Sequence, residues 1–272
     1  MMSNRFRAKI TTVTEALSRS GVKHGDSVLL HSSLRNLGKV DKSDVPVLCE
    51  ALLNGLLDLL GSDGTLLVPA YFYEYARYGV PFDVTRSPVS KRLGTFSAYI
   101  AAHPQSIRSK NPTTSMAAIG AKAEYICARS TATGYGHGSP WALLTEVGGT
   151  IAGIGTHFNT MTYIHYIEQI FGVPHMYHKY FTTPIYDDGT PLNMPVINYV
   201  RYLKYGIKAE MLKFENELQE KKCVRFETFD DSHVYSAPCK LLLEEGLRKL
   251  QLNPFYFLEH APEFREGEIP MV

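Results

Sequence analysis

Four short apolar runs recur through the first 170 residues: Ser27-Val-Leu-Leu-His31, Thr65-Leu-Leu-Val-Pro69, Met116-Ala-Ala-Ile-Gly120 and Thr150-Ile-Ala-Gly-Ile-Gly155. Helix-like stretches lie between them, and this alternation is the pattern of a layered α/β domain. Residues 10–20 read as a first helix ended by Gly21. Pro46 opens an amphipathic helix to about Leu60, with Val47, Leu48, Ala51, Leu52 and Leu56 at helical spacing. Further helices are expected from Thr95 to before Pro104, over Ala123 to Arg129, from Trp141 to Glu146 and over Asn159 to Phe171. After Pro174 the chain turns Tyr-rich, with Asp188-Gly189 as a hairpin-type turn and two helices near 207–221 and 238–250.

At 272 residues the chain is long for one minimal domain and short for two. We expect a single domain, 1–272, with a smaller C-terminal lobe over 175–272. A hydrophobic content of 44% with 11% aromatics excludes global disorder. Lys+Arg 28 against Asp+Glu 27 leaves a formal charge of +1, with no basic excess to neutralise a phosphate backbone, so a nucleic-acid partner is not expected. The run from Ala51 to Leu60 is broken by Asn54 and Asp58. No apolar run approaches the roughly 20 residues of a bilayer span. The N-terminus has basic residues without an apolar stretch behind them, which is not a secretory signal. Cys49, Cys127, Cys223 and Cys239 are far apart and read as reduced thiols, so a cytoplasmic protein is expected.

Within the helix expected over 159–171, His165 lies three residues after Thr162 and three before Glu168, so the three share a face. A histidine one turn from a carboxylate is a candidate general base; the plain alternative is a surface pair. The stretch His31-Ser32-Ser33-Leu34 follows a buried strand. There, backbone N–H groups can meet a carbonyl or phosphate oxygen, or form an ordinary polar turn. No G-x-S-x-G elbow occurs. The loop Gly134 to Pro140 can let backbone approach a ligand closely, but it fits neither nucleotide-binding glycine pattern. His175 and His178, and His157 and His165, are the close histidine sets; no H-E-x-x-H is present, and no metal is expected. The tyrosines of 177–205 form a packed face or a sugar-binding wall.

The stretches 29–38 (LLHSSLRNLG), 64–71 (GTLLVPAY), 82–120, 135–144 (YGHGSPWALL) and 149–169 (GTIAGIGTHFNTMTYIHYIEQ) together resemble the aminoglycoside 3-N-acetyltransferase family. The likeness runs in order over most of residues 10–170 and is much thinner after 175. It implies an α/β fold with a mixed central sheet flanked by helices. It also implies acyl transfer from coenzyme A to an amine on an aminosugar ring, with no metal. Carried over by position, it makes His165 the base, in the place of the histidine of the family's D-T-x-T-x-x-H-x-x-E motif, and Glu168 that motif's glutamate. His31, Ser32, Ser33 and Leu34 would lie beside the pantetheine arm and thioester, with Ser115, Tyr135, Gly136 and Ser139 lining the coenzyme channel. Tyr71, Asn159 and Thr162 would face the acceptor.

The sequence departs from the family pattern at Asn159, where aspartate is usual, and at Asn111 and Thr114, where histidines are often seen. A polycationic aminoglycoside calls for an acidic site. The absent carboxylate at 159 therefore points to a mono-amino sugar, free or nucleotide-linked, with Arg201, Lys204, Lys208 or Lys213 as partners for a diphosphate. The expected activity is acyl transfer to such a sugar in polysaccharide or secondary-metabolite synthesis, with acetyl-CoA or another acyl-CoA as co-substrate and no tightly bound cofactor. An aminoglycoside-resistance enzyme and a non-catalytic coenzyme A- or sugar-binding relative are the alternatives. The acceptor is expected in the C-terminal lobe, and the assembly to be a monomer or homodimer.

Overall fold

The computed structural model of the chain describes residues 4–38, 41–129 and 131–264. In chain order, α1 (Asn4–Ser20) leads to β1 (Ser27–Ser32), α2 (Val45–Leu60) and β2 (Thr65–Pro69). Next come α3 (Tyr73–Tyr78), β3 (Phe82–Asp83), α4 (Thr95–Ala101), β4 (Ile107–Arg108) and β5 (Met116–Gly120). They are followed by α5 (Ala123–Cys127), α6 (Pro140–Glu146), β6 (Thr150–Ile154) and α7 (Ile164–Phe171). The remainder is β7 (Met176–Phe181), β8 (Ile185–Asp187), β9 (Thr190–Leu192), β10 (Val196–Arg201), α8 (Leu212–Glu220), β11 (Arg225–Phe229), β12 (Ser232–Pro238) and α9 (Cys239–Leu252).

Seven strands form one mixed sheet in the order β11-β12-β6-β1-β2-β5-β4. β1 runs parallel to both β2 and β6, whereas β12, β5, β4 and β11 join antiparallel. The fold is thus the mixed α/β sheet with flanking helices that the family resemblance implies. Strand side chains alternate between two buried layers. Val28, Leu30, Leu66, Val68 and Ala152 pack toward α1, α2 and α4. Leu29, Leu67, Met116, Ala118 and Ile151 pack with residues of α5 to α9 on the other face.

The chain after 175 divides into two parts. β7 and β10 pair as a two-stranded ribbon, and β3, β8 and β9 make a small second sheet. Residues 225–238 then return to the main sheet as β11 and β12. The expected C-terminal lobe over 175–272 is therefore smaller than its sequence span, and its residues 265–272 lie outside the described residues. Asp188 (φ 47°) and Gly189 (φ 79°) form the expected hairpin turn between β8 and β9. The helix expected over 10–20 starts earlier, at Asn4. The helix expected over 159–171 starts later, at Ile164. Phe158–Thr160 form a 3-10 turn instead, and Met161 is extended (ψ 101°), so Thr162 stands just before α7.

Candidate active site

The parallel strands β1 and β6 end side by side, Ser32 in register with Ile154. The chain leaves β1 for β2 on one flank, while β6 arrives on the other, so strand order reverses here. Ligands of open α/β sheets sit beyond such strand ends. Period-two alternation sends His31 to the same face as Leu29, the face covered by α7. There Thr162 donates its backbone N–H to His31 Nε2 at 3.1 Å, and its Oγ1 lies 2.9 Å from the same nitrogen. Accepting a backbone N–H leaves the ring neutral, with its proton on Nδ1. Burial lowers the His31 pKa to about 4, against a smaller opposing effect of the Ala152 backbone.

His165 and Glu168 are one turn apart on α7, and His165 Nδ1 is 2.7 Å from Glu168 Oε2. The carboxylate is 2% exposed; the imidazole side chain is 22% exposed and open to a ligand. Glu168 Oε1 is 3.1 Å from Nε2 of His175, which is fully buried. Burial alone would raise the Glu168 carboxyl, but the hydrogen bonds and positive character of the two imidazoles outweigh it and hold the pKa at about 2. An ionised carboxylate at Nδ1 fixes the proton there. His165 Nε2 is left with a free lone pair, the arrangement of a general base.

A wall of aromatic rings closes this side. Tyr135 packs edge-on against His165 (6.2 Å between ring centroids) and tilted against Trp141 (5.3 Å). Tyr71 lies 6.3 Å from Trp141, and its buried hydroxyl is close to Thr162 and Tyr135. The glycine-rich loop is tied to β10 through Gly134 N donating to Ile197 O (3.0 Å) and Ile197 N donating to Ala132 O (2.8 Å). A Cβ on Gly136 would meet Thr133 Oγ1 at 2.0 Å, which is why the loop needs glycine there.

Two of the expected channel residues are placed otherwise. Ser115 and Ser139 are fully buried. Ser115 Oγ donates to Ala70 O at 2.6 Å, and Ser139 caps α6 by accepting from Ala142 N at 3.3 Å. Their hydroxyls brace the framework and do not open onto a channel. Asn111 and Thr114 are buried too, bonded to Asn198 (3.0 Å) and to the Gly134 carbonyl (3.2 Å). Asn159 Oδ1 accepts from Met211 N at 2.8 Å, joining the 3-10 turn to the start of α8.

His31, Ser32, Ser33 and Leu34 line a cleft of about 440 Å³ at the strand ends. Ser33 N–H is already bonded to Ile154 O at 3.0 Å, so it is not an oxyanion donor. Leu34 and Arg35 instead open a 3-10 turn (Leu34–Leu37), and their N–H groups have no acceptor within it. Lys91, Arg92 and Thr95 stand in the same cleft, with Arg35 at its rim. Sequence reading missed these cations, since no motif joins residues 35 and 91–92. It also missed His175 as a partner of Glu168. His178 points elsewhere, against the Tyr199 ring (4.9 Å), and among the described residues no group of three or more His, Cys, Asp or Glu side chains is arranged to hold a metal ion. Nor is any helix among the described residues long and apolar enough to cross a membrane.

Set beside known proteins, the chain is 28% identical over 178 residues to an aminoglycoside N(3)-acetyltransferase III of Salmonella sp., covering 60% of each chain. It is 26% identical over 203 residues to the Pseudomonas aeruginosa enzyme of the same name, covering 69% of this chain and 73% of that one. The aligned part thus spans only about 60% of the length of the first of these relatives. The fold superimposes on AAC-IIIb in its binary complex with CoASH at a TM-score of 0.75, with 23% identity over 93% of this chain and 98% of that one. On AAC(3)-Xa the TM-score is 0.76, with 21% identity over 91% and 93%. The family model described as aminoglycoside 3-N-acetyltransferase matches residues 29–251, most of the 272, and the chain belongs to that family.

Proposed function

We propose that the protein transfers an acetyl group from acetyl-CoA to a primary amine of an aminoglycoside. The observation that carries this reading is the His165–Glu168 pair, 2.7 Å apart with Nε2 unengaged, on the helix whose preceding residue Thr162 is bonded to His31 of the cleft at the ends of β1 and β6. The acceptor class follows the names of the relatives, aminoglycoside N(3)-acetyltransferases.

In this mechanism His165 Nε2 takes a proton from the acceptor ammonium while Glu168 stabilises the imidazolium through Nδ1. The free amine attacks the thioester carbonyl, whose oxygen becomes an oxyanion at the N–H groups of Leu34 and Arg35. Each such donor contributes about 2.7–4 kcal/mol to transition-state stabilisation. As the tetrahedral intermediate collapses, the C–S bond breaks, His165 returns its proton to the coenzyme A thiolate, and the nitrogen of the new amide releases its second proton to water. Arg35, Lys91 and Arg92 are the cations at hand for the coenzyme phosphates.

A second acceptor, a mono-amino sugar carrying a phosphate, is favoured by one feature. Burial raises the Tyr73 phenol, and Arg77, Arg92 and Arg201 pull it back. Arg77 stacks over the Tyr73 ring at 5.3 Å, and Arg201 is half-buried. Cations grouped this way suit an anionic acceptor better than a polycation.

Thiol release from acetyl-CoA, measured against aminoglycosides, free mono-amino sugars and their nucleotide-linked forms, separates these readings. Aminoglycoside turnover supports the first acceptor. Turnover confined to phosphorylated mono-amino sugars replaces it with the second. Coenzyme A binding without acyl consumption across the whole panel would sink acetyl transfer.

A further inference from the structure

His175 reaches the His165–Glu168 pair from outside α7, on the segment between Pro174 and β7. Its ring is fully buried, with Nε2 3.1 Å from Glu168 Oε1 and the Phe255 ring 5.9 Å away. Its other nitrogen, Nδ1, is buried without a hydrogen-bond partner. An apolar side chain would fill this place without an orphaned nitrogen, so packing alone gives no reason for an imidazole here. A bare lone pair at Nδ1 is less costly than an unpaired N–H, which puts the proton on Nε2, facing the carboxylate.

We infer that His175 is a positioning residue for acid–base chemistry at His165, acting through Glu168. Its N–H holds Oε1, so the carboxylate cannot turn about its last bond, and Oε2 stays aimed at His165 Nδ1. The inference rests on the acyl-transfer reading only in what the base acts upon. Without this donor the buried carboxylate is a stronger proton acceptor, and the coupled pair takes up its proton at higher pH. The other titratable groups that feel Glu168 are the Tyr135 and Tyr199 phenols, both raised by burial and neutral over the working range.

His175→Phe removes the donor and keeps an aromatic ring beside Phe255; His175→Met serves if that variant does not fold. His175→Gln keeps an N–H. For His175→Phe, kcat falls by about tenfold or more, as when an orienting partner is lost, with both KM values nearly unchanged. The acid limb of kcat/KM moves to higher pH, and His175→Gln recovers most of the rate. A kcat within about twofold of wild type with an unmoved acid limb overturns the inference. So does equal loss in Phe and Gln variants with both KM values raised, which marks a packing role. The His165 ring titration, followed by its imidazole proton resonances, is independent of turnover: it moves to higher pH in His175→Phe, and an unchanged titration overturns the inference. An inactive wild-type protein would count against acetyl transfer alone, leaving this titration to decide the role of His175.

Discussion

Glu168 receives an N–H on each oxygen, 2.7 Å from His165 and 3.1 Å from His175. Glu168→Gln places an amide where two acceptors stood, so one imidazole N–H faces another N–H. We expect kcat to fall by at least about 10²-fold, comparable to His165→Ala, because the base loses both its orientation and its counter-charge. Stability should fall by about 1–3 kcal/mol for the donor left unsatisfied, read from urea unfolding. The His165–Glu168 pair was legible in the sequence because both lie on one helix, three residues apart. His31 was legible as the end of a buried strand. His175 was not: its seven-residue separation from Glu168 crosses a helix end, Gly172 (φ 79°) and Pro174, where periodicity says nothing about direction.

At the scale of elements, Gly153 seats β6 against Tyr235 of β12, and Ser139 caps α6, which carries Trp141 of the ring wall. A Cβ at Gly153 would sit 2.1 Å from the Tyr235 ring of β12, so Gly153→Ala forces β6 and β12 apart. Overpacking of this kind costs about 1–3 kcal/mol, and thermal unfolding of the variant should show the loss. Ser139→Ala removes the cap of α6 for about 1 kcal/mol, a fall of roughly 2–4 °C in Tm, without a change in the KM for acetyl-CoA if Ser139 only braces the fold. The strands β1, β2, β5 and β6 were legible because buried apolar runs bounded by turns leave little ambiguity. β11 (RFETF) and β12 (SHVYSAP) were not. The first is the sheet edge, with charged and polar residues along it, and the second carries two serines and a proline. The late start of α7 was also hidden, because His31 and Met211, the partners that hold Thr162 and Asn159 out of the helix, are distant in sequence.

For the whole molecule, two buried groups give stability the same pH sign. His31 is held near 4 in the folded protein, below the ordinary 6.5, so the unfolded chain binds more protons between those values and stability falls as pH drops from about 6.5 to 4. Fully expressed, this is on the order of 3 kcal/mol. Glu168, held near 2 against an ordinary 4.5, extends the loss as pH falls through 4.5 toward 2. Unfolding free energies across this range should flatten between pH 6.5 and 4 in His31→Gln and retain the slope below 4.5; an unchanged curve in that variant would show that His31 is not the group titrating.

β12 lies between the edge strand β11 and β6, and its Ser236 hydroxyl donates to Ser20 O of α1 at 2.6 Å. Arg19 of α1 likewise meets Glu227 of β11 at 3.1 Å. Helix α1 is therefore held in part by strands made more than two hundred residues later. A nascent chain halted before β12 carries β6 with one flank unpaired, next to the strand that presents His31. Such a chain exposes a sheet edge that invites intermolecular pairing, so the central sheet is complete only once β12 has been made.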